Sequence, residues 1–290
     1  MASWEEIANE VAPIDADIGG LATGARRGQT SAWQRPPAKT DRELKFLPPP
    51  QCAPGASFDT VMCGIEKQTS RHGTHYEIVQ SARHYDAPFS ELGTRLNTAL
   101  QNSSIECLAR AQARDLLVMD IETSGVNDAT PLFLIGTLRF DEAEPQMEFF
   151  LARNSDEEAA VLAAYHQRTR GKRLVTFNGK SFDWPFIARR SRHHKVPFSS
   201  PMFHLDMLHQ ARRKWRSQVP DCRLQTLEKF LCGRGRVGDV PGYKIPGQYA
   251  DFVERTRAGQ NAAWLLSPIL HHNALDLLTL AEIVCLAHED

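Results

Sequence analysis

With 290 residues, 42% apolar and 24% charged, and a formal net charge of -1, the chain has room for one large globular domain plus an extension. Its total charge singles out neither nucleic acid nor a membrane surface as a partner. Six scattered cysteines form no Cys-x-x-Cys pair, which predicts reduced thiols in a cytoplasmic setting; no basic-then-apolar leader and no run of about 18 apolar residues occurs, so neither a signal peptide nor a membrane span is expected.

Residues 1–55 carry Gly19-Gly20, Pro36-Pro37 and Pro48-Pro49-Pro50 with little apolar periodicity, the composition of a flexible leader. Over 56–110, short apolar runs at Val61 and at Tyr76 to Val79 predict a small β hairpin. A helix follows from Ser90 to Leu100, and together they make an N-terminal extension that could complete the fold or recruit a protein partner. The main domain is expected over 111–290. The stretch Leu116 to Gly125 opens with four apolar residues that read as a buried strand, and Pro131 to Phe140 and Met147 to Leu151 read as two more, an antiparallel meander. Ser155 and Glu158 have capping-box spacing ahead of a helix that runs to Arg168. Beyond it a strand at Arg173 to Phe177, a helix from Ser181, a short strand and helix from Phe203, a helix at Leu224 to Leu231 and a long apolar helix from Ser267 to Ala287 alternate. The class is therefore α/β: a mixed sheet, meander first and parallel strands after, with helices on both faces. Gly233 to Gly238 matches G-x-G-x-x-G, but it follows a helix instead of a strand and reads as a loop.

The chemistry gathers at strand ends and helix starts. Asp120 and Glu122 lie two apart on a strand, so both point to one face and repel each other unless a cation lies between them. Asp183 follows the Leu174 to Phe177 strand, where α/β folds build sites, and Asp276 is embedded among Leu275, Leu277 and Leu278, where an unpaired charge is costly. Between Ile187 and Arg216, eight Arg or Lys face a single acid, Asp206, which reads as a supporting residue. Within that segment Arg212 and Arg213 supply charge for phosphates and Trp215 an aromatic for base stacking; Asn178 and Lys180 adjoin Asp183.

The Asp-x-Glu, Asp, Asp series, together with Val175-Thr176-Phe177-Asn178-Gly179-Lys180-Ser181-Phe182-Asp183, His204-Leu205-Asp206-Met207-Leu208-His209, Cys222-Arg223-Leu224 and Asp239-Val240-Pro241-Gly242, resembles the DEDD exonuclease branch of the ribonuclease H-like superfamily, most closely its YprB-like domains. The resemblance covers about residues 115 to 287. It implies a ribonuclease H-like fold and a 3′-5′ exonuclease acting on single-stranded DNA or RNA through two Mg²⁺ or Mn²⁺ ions. Asp120, Glu122, Asp183 and Asp276 would be the ligands, converging within a few ångströms, and Thr123 and Asn273 would join the substrate contacts. It also implies a histidine base, for which His271 and His272 both stand at family-like spacing, with His-Asn-x-x-Asp leaning to His272. The competing classes are an endonuclease with the same site and a nucleic-acid-binding scaffold on a nuclease-derived fold.

Overall fold

The computed structural model describes residues 42–46, 57–125, 127 and 130–288, all within one compact unit, Pro36–Asp290. Its strands are β1 (Arg42–Lys45), β2 (Ile65–Gln68), β3 (Thr74–Ser81), β4 (Leu116–Thr123), β5 (Leu132–Arg139), β6 (Gln146–Leu151), β7 (Arg173–Thr176), β8 (His204–Asp206) and β9 (Arg234–Val237). The helices of two turns or more are α1 (Leu92–Gln101), α2 (Glu158–Arg168), α3 (Asp183–His193), α4 (Met207–Trp215), α5 (Ile245–Arg257) and α6 (Ser267–His288). Seven strands make one mixed sheet in the order β2-β3-β6-β5-β4-β7-β8, with β7 parallel to β4 and β8 parallel to β7.

β4 is central because Leu116 to Met119 is apolar on both of its faces, and all four side chains are fully buried. β5 beside it is buried along nearly its whole length, so both faces of the sheet are covered. α6 packs on β4, β5, α1 and α4, whereas α2 rests on β3, β5 and β6. α6 belongs to a helical stretch, Ala263–His288, that is long and apolar enough to cross a membrane, yet its apolar window is 78% buried inside the protein. It is the core helix, and it carries His271, His272, Asn273 and Asp276.

Four sequence expectations need correction. The hairpin β2-β3 is no separate extension: β3 pairs with β6 from Tyr76↔Leu151 to Ser81↔Gln146, and the fully buried Tyr76 and Ile78 fix that register. Of the expected leader, residues 42–46 are described, and β1 pairs in parallel with β9; the rest of 1–55 lies outside the described residues. The glycine-rich segment expected as a loop is that strand, β9, whose Arg-x-Arg alternation puts two largely buried arginine side chains on one face.

The fourth correction is the capping box. Asn154, not Ser155, caps a short 3-10 turn, and Glu158 is fully buried. There Glu158 accepts two bonds from Arg190 of α3 (2.7 and 2.6 Å), one from the Leu132 N–H (2.8 Å) and one from His194 (2.7 Å). That joint fixes α3, and with it the position of Asp183 on its first turn. Arg190→Ala leaves the buried carboxylate without its charge partner, a loss of about 3–5 kcal/mol, so the melting temperature is expected to fall by roughly 10 °C. Thermal unfolding followed by circular dichroism measures it, and an unchanged transition would mean that apolar packing alone holds α3.

Candidate active site

Across the β4-β5 ladder Asp120 faces Gly136 and Glu122 faces Leu134, so both acids rise on the side where α6 crosses. Gly136 sets the approach. A Cβ there would stand 1.7 Å from Asn273 Oδ1, so only glycine lets the carboxamide lie on the strand. Asn273 is fully buried, and its Nδ2 donates to Asp120 Oδ2 at 2.7 Å and reaches Glu122 Oε1 at 3.5 Å. Assigned to substrate from the sequence, Asn273 instead holds the acid pair. The pairing slips by one residue after Glu122, an irregularity of the kind that re-aims side chains beside active sites.

Asp183 arrives from the other side. β7 pairs with β4 only as far as Val118, which leaves the β4 backbone at Ile121 facing the Asp183 carboxylate, where it opposes the larger upward push of burial. Asn178 and Lys180 sit on the loop between β7 and α3 with exposed side chains; their backbone N–H groups donate to Asp206 at 2.8 and 3.0 Å. Asp206 also caps α4 through Leu208 N at 3.1 Å, so it is the tie that shapes this loop.

Asp276, in the third turn of α6, closes the group. Its Oδ1 accepts from Arg236 Nη2 at 2.6 Å and its Oδ2 lies 3.6 Å from His272 Nε2. The other ring nitrogen of His272, Nδ1, donates to both oxygens of Asp239 at 2.9 and 3.0 Å, which fixes the ring. His271 points elsewhere. It lies against Phe46 and Tyr85, with ring centroids 5.1 and 5.7 Å away, and burial pushes it down to about 4, so the alternative base of the sequence reading is an aromatic packing residue.

Charge repulsion marks the four acids as one group. Burial, then Asp276, Asp183 and Glu122 in turn, pushes Asp120 well above the usual carboxylate range, against the pull of Arg236. Burial pushes Glu122 up to about 8, with Asp276 and Asp183 adding to it and His272 and Asn273 opposing; burial, with Asp206 and Asp276, raises Asp183 to about 7. Burial would lower His272, but the Asp239 bond and the charges of Asp276 and Glu122 outweigh it and lift the ring to about 9.

Such a set of hard oxygen donors, short of positive charge, fits Mg²⁺ or Mn²⁺ better than a thiolate-seeking metal. As the side chains stand, no trio of His, Cys, Asp or Glu among the described residues is gathered closely enough to hold an ion. One oxygen of Asp276 is taken by Arg236 and one of Asp120 by Asn273, which leaves Asp276 Oδ2 and Asp120 Oδ1 as the oxygens these two acids can offer an ion.

A pH dependence follows. The raised acids keep protons that the unfolded chain releases near 4, so their contribution to stability is full below that pH and is lost as pH rises through 7 to 8. His272 acts in the same direction between its ordinary 6.5 and about 9. The melting temperature of the metal-free protein is expected to fall from pH 5 to pH 9, and Mn²⁺ to raise it by roughly 5 °C or more at pH 8 but far less at pH 5. Calorimetry in two buffers of different ionisation heat should show protons released on binding; equal heats would contradict the raised carboxyls.

The remaining residues expected at the site make other contacts. Thr123 is nearly buried and its hydroxyl donates to the Gly125 carbonyl at 2.8 Å. Trp215, expected to stack bases, is a core residue, while Arg212 and Arg213 are exposed on α4, where Arg213 bonds Gln210 one turn back. Arg236 and Asp239 were missed by the sequence reading. Their signal was present as Arg-x-Arg within the glycine-rich stretch followed by Asp239, hidden once that stretch was read as a loop.

A family model described as RNase_H superfamily matches residues 117–287, and the chain belongs to that superfamily. It is similar to "Uncharacterized protein YprB" of Bacillus subtilis (strain 168), with 31% identity over 215 residues. That match covers 71% of this chain and 50% of the relative, so the chain spans about half the length of the curated relative it matches.

Proposed function

We propose that the protein is a divalent-metal-dependent nuclease that hydrolyses phosphodiester bonds with two ions, and that it removes nucleotides from the 3′ end of single-stranded nucleic acid. The observation that carries this reading is the group of four mutually repelling, largely buried carboxylates, drawn from β4, α3 and α6, beside a histidine oriented by Asp239. Membership of a superfamily with a nuclease-type fold agrees with it. Asp120, Glu122, Asp183 and Asp276 would hold Mg²⁺ or Mn²⁺, which supply Lewis-acid polarisation of the phosphate and lower the pKa of the attacking water.

The chain's own residues do the rest. Asn273 keeps Asp120 turned toward the group. With Nδ1 bonded to Asp239, His272 presents Nε2 to the acid side, and once the facing carboxylates are neutralised that nitrogen is free to accept a proton from the attacking water. Lys180 and Asn178, exposed on the rim beside Asp183, are placed to contact the phosphate backbone.

The test is incubation of end-labelled DNA and RNA, single- and double-stranded, with Mg²⁺ or Mn²⁺, and with chelator as control. A ladder shortening from the 3′ end supports the exonuclease. Internal products would replace it with an endonuclease, and binding without metal-dependent cleavage would leave a nucleic-acid-binding protein on this fold.

A further inference from the structure

Arg236 uses every nitrogen of its guanidinium on a different acid. Nε donates to Glu228 at 2.5 Å, Nη1 to Asp239 at 3.2 Å and Nη2 to Asp276 at 2.6 Å. The side chain is only 7% exposed, and the three acids come from three places: a π turn at Glu228–Cys232, the segment after β9, and α6. Glu228 is itself anchored, fully buried, by the Thr279 hydroxyl at 2.8 Å and by Arg234, which also bonds Thr279 and Glu282. The guanidinium therefore cannot follow Asp276 if that carboxylate turns. β9 is held from its other side by β1, with Leu44 opposite Arg236.

We propose, on the basis of the nuclease reading above, that Arg236 is the positioning residue of the site: its planar fork sets the last acid directly and the histidine through Asp239. One Asp276 oxygen is reserved for Arg236, which leaves Oδ2 as the oxygen offered to an ion. Asp239, held by the same cation, keeps both oxygens on His272 Nδ1, so the acid and the base are fixed relative to each other by one rigid group. A lysine keeps the charge but has no planar fork with which to span three carboxylates.

That difference supplies the experiment, made on the full chain. Arg236→Lys conserves charge, so a change in Mn²⁺ affinity, read by electron paramagnetic resonance, reports geometry. The expected results are Mn²⁺ affinity about tenfold weaker and kcat about 10- to 100-fold lower on a single-stranded oligonucleotide, with KM within about threefold. A role confined to folding would lower the melting temperature and the fraction of metal-binding molecules, and leave kcat per metal-binding molecule unchanged. Asp239→Asn, which spares the Arg236 contacts to Glu228 and Asp276, is expected to lower kcat similarly while Mn²⁺ affinity stays within about threefold. Arg236→Lys indistinguishable from the parent in Mn²⁺ affinity and in kcat per metal-binding molecule overturns the proposal. Should the parent chain bind Mn²⁺ but cleave nothing, the nuclease reading fails by itself, and the Mn²⁺ affinity of Arg236→Lys still decides the positioning role.

Discussion

Asp120→Asn is expected to abolish metal-dependent cleavage, a loss of about 10³-fold or more, and at the same time to stabilise the metal-free protein. The two effects share a cause. Asp120 is half-buried among Asp276, Asp183 and Glu122, all of which oppose its ionisation, so above neutral pH the folded chain bears a repulsion that protons or bound cations would relieve. An amide of the same shape removes one member of the quartet and with it much of that repulsion. The rise in melting temperature should be larger at pH 8 than at pH 5, because lowering the pH protonates the raised carboxyl in the parent chain. Thermal unfolding at the two pH values, beside a cleavage assay, measures both. A variant that loses activity and also melts earlier at pH 8 would show that Asp120 is a structural acid and that the electrostatic reading of the cluster is mistaken.

Gly136→Ala should be nearly as damaging without touching any ionisable group. The new methyl would lie 1.7 Å from Asn273 Oδ1 and 3.1 Å from Leu277 Cδ1, so α6 must lift or the carboxamide must rotate away. Either movement breaks the 2.7 Å bond from Asn273 to Asp120. Overpacking of a tight core costs about 1–3 kcal/mol, and a misplacement of roughly 1 Å at reacting groups costs about 10²-fold in rate. Kinetics and unfolding of the purified variant test this. Parent-like activity would mean that α6 does not need its close seat on β5.

Much of the fold was legible because its signals are local. The all-apolar Leu116 to Met119 dictates a central strand, and the acidic turn between Arg139 and Gln146 dictates a hairpin. The four acids were legible as a series because two share one face of an apolar strand, one follows a strand end and one stands in an apolar helix. What stayed hidden depends on contacts between distant segments. Nothing in Arg234-Gly235-Arg236 announces that β1, almost 200 positions earlier, will pair with it and turn a glycine-rich stretch into a strand. Trp215 and Asn273 were misread for a related reason: a polar or aromatic residue near a charge cluster suggests a surface, and only the packing of α6 shows that both are inside. His271 and His272 are adjacent in sequence but point about 100° apart on a helix, so spacing alone could not separate them.

The seat of Asn273 on Gly136 and Asp120 joins residues up to 153 positions apart, and that separation has a meaning for how the molecule comes into being. Contacts so distant along the chain close late in folding, because the entropy of a large loop is lost before the contact is gained. During synthesis from the N-terminus, β4 with Asp120 and Glu122 emerges long before α6, so the nascent chain carries the acid pair without Asp276, His272 or the amide that orients them. The group therefore stays incomplete through most of translation, and a chain whose synthesis stalls before α6 carries Asp120, Glu122 and Asp183 without Asp276, His272 or Asn273.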